Sequence, residues 1–206
     1  RVLHVAEQTL RLMMVHAHPD DEAVSTGGTL ALYAARGART ILVTCTRGEE
    51  GEIVDDELKT QIEAGAPGSP EAQERLALVR DQEMAAAMQA LNIAQFYSLG
   101  YRDSGMAGTE SNKNPLAFTN VTPADAAARL IELVRHERPH VLVSYNEVGG
   151  YGHPDHIMAA RIARLAFEGA ANTEVYPQLS DATPPWQPLK YYEIANSRDH
   201  MLKMAQ

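Results

Sequence analysis

The chain has 206 residues, 45% of them hydrophobic and 22% charged, a composition typical of an ordinary globular domain and unlike disordered, collagen-like or coiled-coil chains. Twenty-seven acidic against 18 basic residues give a formal net charge of -9, the wrong sign for general nucleic-acid binding. The single cysteine, Cys45, excludes an internal disulfide and favours a reducing compartment, so a cytoplasmic location is predicted.

Short apolar runs alternate with helical patterns along the chain, which predicts an α/β protein with a Rossmann-like, three-layer fold and a mainly parallel sheet. The predicted strands are residues 12–16, 40–45, 95–99, 140–145 and 189–194. One domain is expected over 1–206, with residues 1–10 peripheral and residues 171–206 carrying the weakest pattern. No membrane span is predicted, because polar amides interrupt the longest uncharged stretch, 84–101.

The clearest predicted helix follows Thr122, with Pro123 at its first position and Asp125 completing a pattern that resembles a capping box. Its apolar positions recur at intervals of three and four residues, which places them on one stripe. They are Ala127, Leu130, Ile131 and Val134.

Two histidine clusters follow the first and fourth predicted strands. Residues 16–22 read His-Ala-His-Pro-Asp-Asp-Glu, and residues 149–156 read Gly-Gly-Tyr-Gly-His-Pro-Asp-His. In an open α/β sheet, residues beyond the carboxyl ends of neighbouring strands line the ligand crevice, so the two clusters can meet. One His-x-x-Asp motif is more often a helix cap or a surface ion pair, but two of them at strand ends favour a metal site.

Catalytic zinc takes three protein ligands and keeps a position for water. We predict that His18, Asp21 and His156 are these ligands, with ferrous iron as the alternative metal in the cell. Asp20 cannot easily share this geometry with Asp21, because consecutive side chains point in different directions. Asp20 is therefore predicted to be the general base for the metal-activated water. Its alternative role, a helix cap, is better filled by the hydroxyl residues that follow.

His153 is predicted to stabilise a developing oxyanion or to protonate a leaving amine, with Asp155 holding it in the cationic form. A role for His153 as a further ligand or as an outer residue of the metal site stays open. Tyr151, on a glycine-rich turn, is predicted as an extra oxyanion donor. His16 lies on the strand itself and is expected to be structural.

Two further loops leave the second and third predicted strands at the same edge, over residues 44–52 and 101–106. Arg102 and Asp103 in the second loop can form paired hydrogen bonds with hydroxyl groups. Polar loops gathered at one edge indicate a polyol or a sugar as the substrate.

The paired motifs resemble the zinc-dependent N-acetylglucosaminyl de-N-acetylase family, also called LmbE-like or PIG-L-like, over about residues 11–170. Loops 44–52, 102–108 and 149–156 are most similar to the branch that deacetylates N-acetylglucosaminyl-inositol in mycothiol biosynthesis. The resemblance implies the ligands and base given above, with His153 and Tyr151 stabilising the tetrahedral intermediate. It also implies that Glu52, Arg80 and Asp103 contact sugar or inositol hydroxyls.

Three alternatives remain. The related mycothiol-conjugate amidases tend to have a lysine where this chain has Ser25, which favours the deacetylase branch. His16-x-His18-x-Asp20 also resembles the motif of metallo-β-lactamase-type hydrolases, but the βα rhythm does not match their paired antiparallel sheets. An inactive metal-binding or sugar-binding protein would have no use for a free base at Asp20.

The sequence therefore predicts a zinc-dependent deacetylase that hydrolyses the acetamide of an N-acetylglucosamine glycoside. Its expected partner is a small N-acetylated amino sugar, with no nucleic acid and no membrane span. Assembly into a homo-oligomer is left open.

Overall fold

Five parallel strands form one sheet in the computed structural model, which describes residues 9–179 and 183–195. They are β1 (Arg11–His16), β2 (Arg39–Thr46), β3 (Gln95–Tyr101), β4 (Val141–Tyr145) and β5 (Lys190–Ile194). Their order is β3-β2-β1-β4-β5. The predicted α/β class and parallel sheet are confirmed. The single domain over 1–206 stays a prediction, since residues 1–8, 180–182 and 196–206 lie outside the described part.

Helices cover both faces of the sheet. They are α1 (Gly27–Ala35), α2 (Asp56–Ile62), α3 (Pro70–Leu91), α4 (Pro123–Glu137), α5 (Gly149–Gly152) and α6 (Pro154–Gly169). A π-helical turn, Glu22–Thr26, leads into α1. Among the helices of residues 9–179 and 183–195, none has both the length and the apolar character that crossing a membrane requires.

The two faces of β1 explain its nearly continuous apolar sequence. Met13 and Val15 pack with α4 and α6, whereas Leu12 and Met14 pack with α1 and α3. A central parallel strand is buried on both faces, so it does not alternate with polar residues. Cys45 on β2 is fully buried and unpaired, and burial raises the pKa of its thiol well above the usual value.

Helix α4 begins at Pro123, as predicted, and its apolar stripe is fully buried. The expected capping box is wrong, because the Thr122 side chain makes no capping hydrogen bond. Instead, the backbone N–H of Asp125 donates to the carbonyl oxygen of Thr122 at 3.0 Å. The helix therefore starts on backbone turns and on the fixed φ of its proline.

The strand order determines where a ligand can bind. β1 lies between β2 and β4, so the chain leaves β1 towards one side of the sheet and leaves β4 towards the other. The crevice at such a reversal lies outside the carboxyl ends of the strands. Both histidine clusters follow these two ends.

A buried carboxylate ties the end of α4 to the sheet. Glu137 accepts hydrogen bonds from Arg39 Nε at 3.1 Å and from the Tyr97 hydroxyl at 2.6 Å. Burial raises the pKa of Glu137, but these hydrogen bonds outweigh burial and hold the pKa below 4.5. A carboxyl group with a lowered folded pKa stabilises the fold above its unfolded pKa, and this contribution is lost as pH falls through the folded value.

We therefore expect Glu137→Gln to lower the free energy of unfolding by about 1–3 kcal/mol near neutral pH, because Arg39 loses its charged partner. The difference from the wild type should shrink on acidification, as measured by urea denaturation at pH about 7 and about 4. Glu132→Gln, at an exposed position on the same helix, is the control. An equal loss at both pH values would contradict the assigned ion pair.

Candidate metal centre

The first half of the site is the turn that follows β1. Asp20 has a φ of 111°, a backbone region that residues with a Cβ rarely adopt and that is found at functional sites. Its N–H donates to Oε2 of the buried Glu22 at 3.0 Å. Burial raises the pKa of Asp20, and Arg80 acts in the opposite direction.

The second half is the first turn of α6, which carries His156, and Gly149 at the start of α5 positions this histidine. The φ of Gly149 is 65°, and a Cβ there would lie 2.8 Å from the Cβ of His156, so glycine is required. The Gly149 carbonyl oxygen accepts from His156 Nδ1 at 3.2 Å. His156 Nε2 is buried and has no hydrogen-bond partner.

Asp21 joins the two halves. Its Oδ2 accepts hydrogen bonds from the backbone N–H of His18 at 2.9 Å and from the Tyr145 hydroxyl at 2.7 Å. Its Oδ1 lies 3.3 Å from His156 Nε2. Burial raises the pKa of Asp21, but the neighbouring imidazoles of His156 and His18 outweigh burial, and the pKa lies well below the usual value.

Carboxylates surround His18. Nδ1 lies 3.4 Å from Asp21 Oδ2, while Nε2 lies 3.3 Å from Asp155 and 3.7 Å from Asp103. Burial lowers the pKa of His18, but hydrogen bonds with Asp155 and Asp21 raise it to about 10. The site thus attracts positive charge.

This arrangement fits a divalent cation. Nitrogen atoms of His18, His153 and His156 lie within 4.8 Å of one another. With its Nδ1 proton on Gly149, His156 presents the lone pair of Nε2 towards a carboxylate oxygen of Asp21. A divalent cation bound by both atoms would satisfy the two of them, and imidazole with carboxylate suits zinc or ferrous iron.

Asp155 lies elsewhere than the sequence predicts. Its carboxylate accepts hydrogen bonds from the backbone N–H of Ser104 at 2.9 Å and from the Ser104 hydroxyl. The same carboxylate contacts His18 Nε2. It therefore faces His18 rather than His153, which corrects the expected Asp155–His153 pair.

His153 caps helix α6, with Nδ1 accepting from the backbone N–H of Asp155 at 3.2 Å. The neutral ring then carries its proton on Nε2. Burial lowers the pKa of His153 to about 4, and the charge of His18 acts in the same direction. These contacts favour a neutral ring that can donate through Nε2, in place of the cationic form expected from pairing with Asp155.

A cavity of about 300 Å³ opens over these side chains. Eight predicted site residues line it: His18, Asp20, Asp21, Glu52, Arg80, Asp103, Tyr151 and His153. Tyr151 is 65% exposed, and its ring centre lies 5.0 Å from that of His156. Arg102 does not line the cavity, because it pairs with Glu50 at 3.2 Å and Gln73 at 2.8 Å.

Arg80 reaches the cavity through a gap between two glycines. A Cβ on Gly48 or on Gly51 would lie 2.4 or 2.2 Å from its guanidinium nitrogens. Arg80 Nη1 donates to the carbonyl oxygen of Pro19 at 2.9 Å and lies 3.4 Å from Asp20 Oδ2. The two glycines thus leave room for the positively charged Arg80 guanidinium beside Asp20.

Three residues of the site were missed at the level of sequence: Glu22, Ser104 and Tyr145. Tyr145 ends a predicted strand next to a histidine cluster, which was a usable signal. Ser104 and Glu22 act through hydrogen bonds whose direction no sequence pattern gives.

A sequence profile of the PIG-L family, described as GlcNAc-PI de-N-acetylase, matches residues 13–167. A 1D-myo-inositol 2-acetamido-2-deoxy-alpha-D-glucopyranoside deacetylase of Catenulispora acidiphila is 51% identical over 172 residues, covering 82% of this chain and 51% of the relative. An enzyme of the same name from Streptomyces scabiei is 46% identical, covering 88% of this chain and 54% of the relative. The chain thus spans about half the length of these curated relatives.

Among solved structures, the N,N'-diacetylchitobiose deacetylase of Pyrococcus horikoshii superposes with a TM-score of 0.67. It is 21% identical, and the match covers 87% of this chain and 58% of that one. At this identity the likeness shows a shared fold.

Proposed function

Because the chain belongs to the PIG-L family of GlcNAc-PI de-N-acetylases, we propose that it is a metal-dependent hydrolase of an N-acetylglucosamine glycoside with an inositol-like aglycone. The observation that carries the proposal is the unpartnered His156 Nε2, 3.3 Å from Asp21 Oδ1 and next to the cavity that Asp20 lines. The names of the relatives support the N-acetylglucosaminyl-inositol substrate.

The proposed metal ligands are His18, Asp21 and His156. When bound, the metal supplies positive charge that polarises the acetyl carbonyl and acidifies water. Zinc is proposed as the metal, with ferrous iron as the alternative that the same donor set accepts. The cytoplasmic location stays a prediction.

Asp20 is proposed as the general base. Its side chain is 62% exposed, and it borders the cavity next to the two loops that hold the metal ligands. A carboxylate in this place takes a proton from water as the water oxygen attacks the acetyl carbon. The same proton can then pass to the leaving nitrogen, so that the C–N bond breaks and the products are acetate and a free amine.

His153 is proposed to stabilise the oxyanion of the tetrahedral intermediate. Its Nδ1 is held by the backbone of α6, so Nε2–H is the group that can donate into the cavity. A donor fixed before the reaction stabilises developing charge without reorganisation. Tyr151, at the rim, is proposed as a second donor.

Hydroxyl groups of the sugar would meet a polar wall formed by Glu52, Arg80 and Asp103. Arg80 is the best placed of the three, because its guanidinium borders both the cavity and Asp20. Arg102 is proposed to act indirectly instead of contacting the sugar, because its ion pair holds Glu50, a residue that lines the cavity.

Gly51→Ala is expected to lower kcat/KM for amide hydrolysis about fivefold with no change in metal content. The new methyl group would displace the Arg80 guanidinium, and one lost hydrogen bond is worth about 1 kcal/mol. Gly28→Ala, where a Cβ meets nothing within 4 Å, is the matched control. Equal kinetics of the two variants would remove Arg80 from the site.

The substrate is tested by the release of free amine from a panel of acetylated compounds. N-acetylglucosaminyl-inositol, N,N'-diacetylchitobiose, free N-acetylglucosamine and a mycothiol-type conjugate would be compared on the zinc-loaded chain. The highest kcat/KM is expected for the inositol glycoside. Preference for the conjugate would favour the amidase alternative, and metal binding without amine release from any compound would favour a binding protein.

A further inference from the structure

Tyr145 connects the two strands that carry the metal centre. It is the last residue of β4 and is 3% exposed. Its hydroxyl donates to Asp21 Oδ2 at 2.7 Å and accepts from the backbone N–H of Ala17 at 3.0 Å. His16 Nδ1 lies 3.1 Å from the Tyr145 hydroxyl oxygen. Residues at the end of β1 thus hold the Tyr145 hydroxyl in the position from which it donates to Asp21.

The hydroxyl determines which oxygen of Asp21 is free. Oδ2 accepts hydrogen bonds from the Tyr145 hydroxyl and from the backbone N–H of His18, and His18 Nδ1 lies 3.4 Å from it. Oδ1 faces His156 Nε2. A carboxylate held in this way presents one oxygen to a cation, with its plane fixed by the two hydrogen bonds.

The ring of Tyr145 orients a second ligand. It stacks on the His156 imidazole, with ring centres 4.2 Å apart and planes at 14°. The Gly149 carbonyl oxygen holds Nδ1 of the same imidazole. Stacking and hydrogen bond together fix both the plane and the direction of His156 Nε2.

We propose that Tyr145 is a positioning residue of the metal centre, which orients Asp21 through its hydroxyl and His156 through its ring. This inference rests on the proposed function, because it assumes that these two residues bind the metal. Tyrosine at the end of β4 then contributes to metal affinity without touching substrate.

The test is Tyr145→Phe, which removes the hydroxyl and keeps the ring. Zinc affinity, measured by competition with a chelator, is expected to fall about 10- to 100-fold. The absorption spectrum of the cobalt-substituted protein is expected to change, because the coordination of Asp21 loosens. Tyr97→Phe is the matched control, because it also removes a tyrosine hydroxyl that donates to a carboxylate. That carboxylate belongs to Glu137 on α4. The control variant should lose stability but keep the wild-type affinity and spectrum.

A second measurement needs no substitution at this position. Tyr145 and Tyr151 are the tyrosines in ring contact with His156 in the described part of the chain. Tyr151→Phe protein labelled with 3-fluorotyrosine therefore carries fluorine next to His156 on Tyr145. One fluorine resonance is expected to shift as zinc is added and to stop shifting at one equivalent.

The outcomes separate the two proposals. Wild-type zinc affinity and an unchanged cobalt spectrum in Tyr145→Phe, or a labelled protein that binds zinc without a fluorine shift, would overturn the role of Tyr145 alone. A wild-type chain that binds no zinc and no other divalent cation would overturn the proposed function as well.

Discussion

Asp20→Asn protein is expected to bind zinc as the wild type does, but to release amine about 100- to 10,000-fold more slowly, the usual contribution of a general base. The asparagine amide keeps the shape of the carboxylate but cannot accept a proton from water. The fold should survive, because asparagine tolerates positive φ better than most residues, and the φ here is 111°.

Metal content and kcat would be measured on the same preparation of Asp20→Asn. Asp56→Asn, at an exposed position in the first turn of α2, makes the same chemical change away from the cavity and should leave kcat unchanged. Full turnover by metal-loaded Asp20→Asn protein would exclude Asp20 as the base.

His156→Ala is expected to lose both metal and activity, with zinc affinity falling by more than about 100-fold. Removing a metal ligand should lower the affinity more than removing a residue that only orients a ligand, which costs about 10- to 100-fold. The substitution removes Nε2, leaves Asp21 Oδ1 without its neighbour and takes the stacking partner from Tyr145. Chelator competition and amine release would be measured together.

The matched control for this variant is His136→Ala, because His136 is 66% exposed in its side chain and lies on α4. The control should keep zinc affinity and turnover. A His156→Ala protein that retains zinc at wild-type affinity would assign the third ligand to another residue, and His153 would be the first candidate.

The sheet could be predicted because its strands are short apolar runs between helical patterns. All five strands lie within two residues of their predicted ends. The stripe of α4 was equally clear, since its spacing follows the helical period. The capping interaction of the same helix was not clear, because a capping pattern does not show whether the side chain or the backbone of Thr122 accepts the hydrogen bond.

The meeting of the two histidine clusters could also be predicted, because parallel strands present their carboxyl ends at one edge. The partners of each side chain could not. Asp155 follows His153 by two residues, yet the helix turns its carboxylate towards Ser104 and His18. Arg102 was expected at the cavity, but Glu50 and Gln73 hold it behind the wall.

The measurement that tests the central claim most directly is amine release from N-acetylglucosaminyl-inositol by the chain stripped of metal and then titrated with zinc. We expect no turnover in the metal-free protein, and turnover that rises with zinc and reaches its maximum at one equivalent. Full activity of the metal-free protein, or none at any content of zinc or ferrous iron, would contradict a metal-dependent deacetylase.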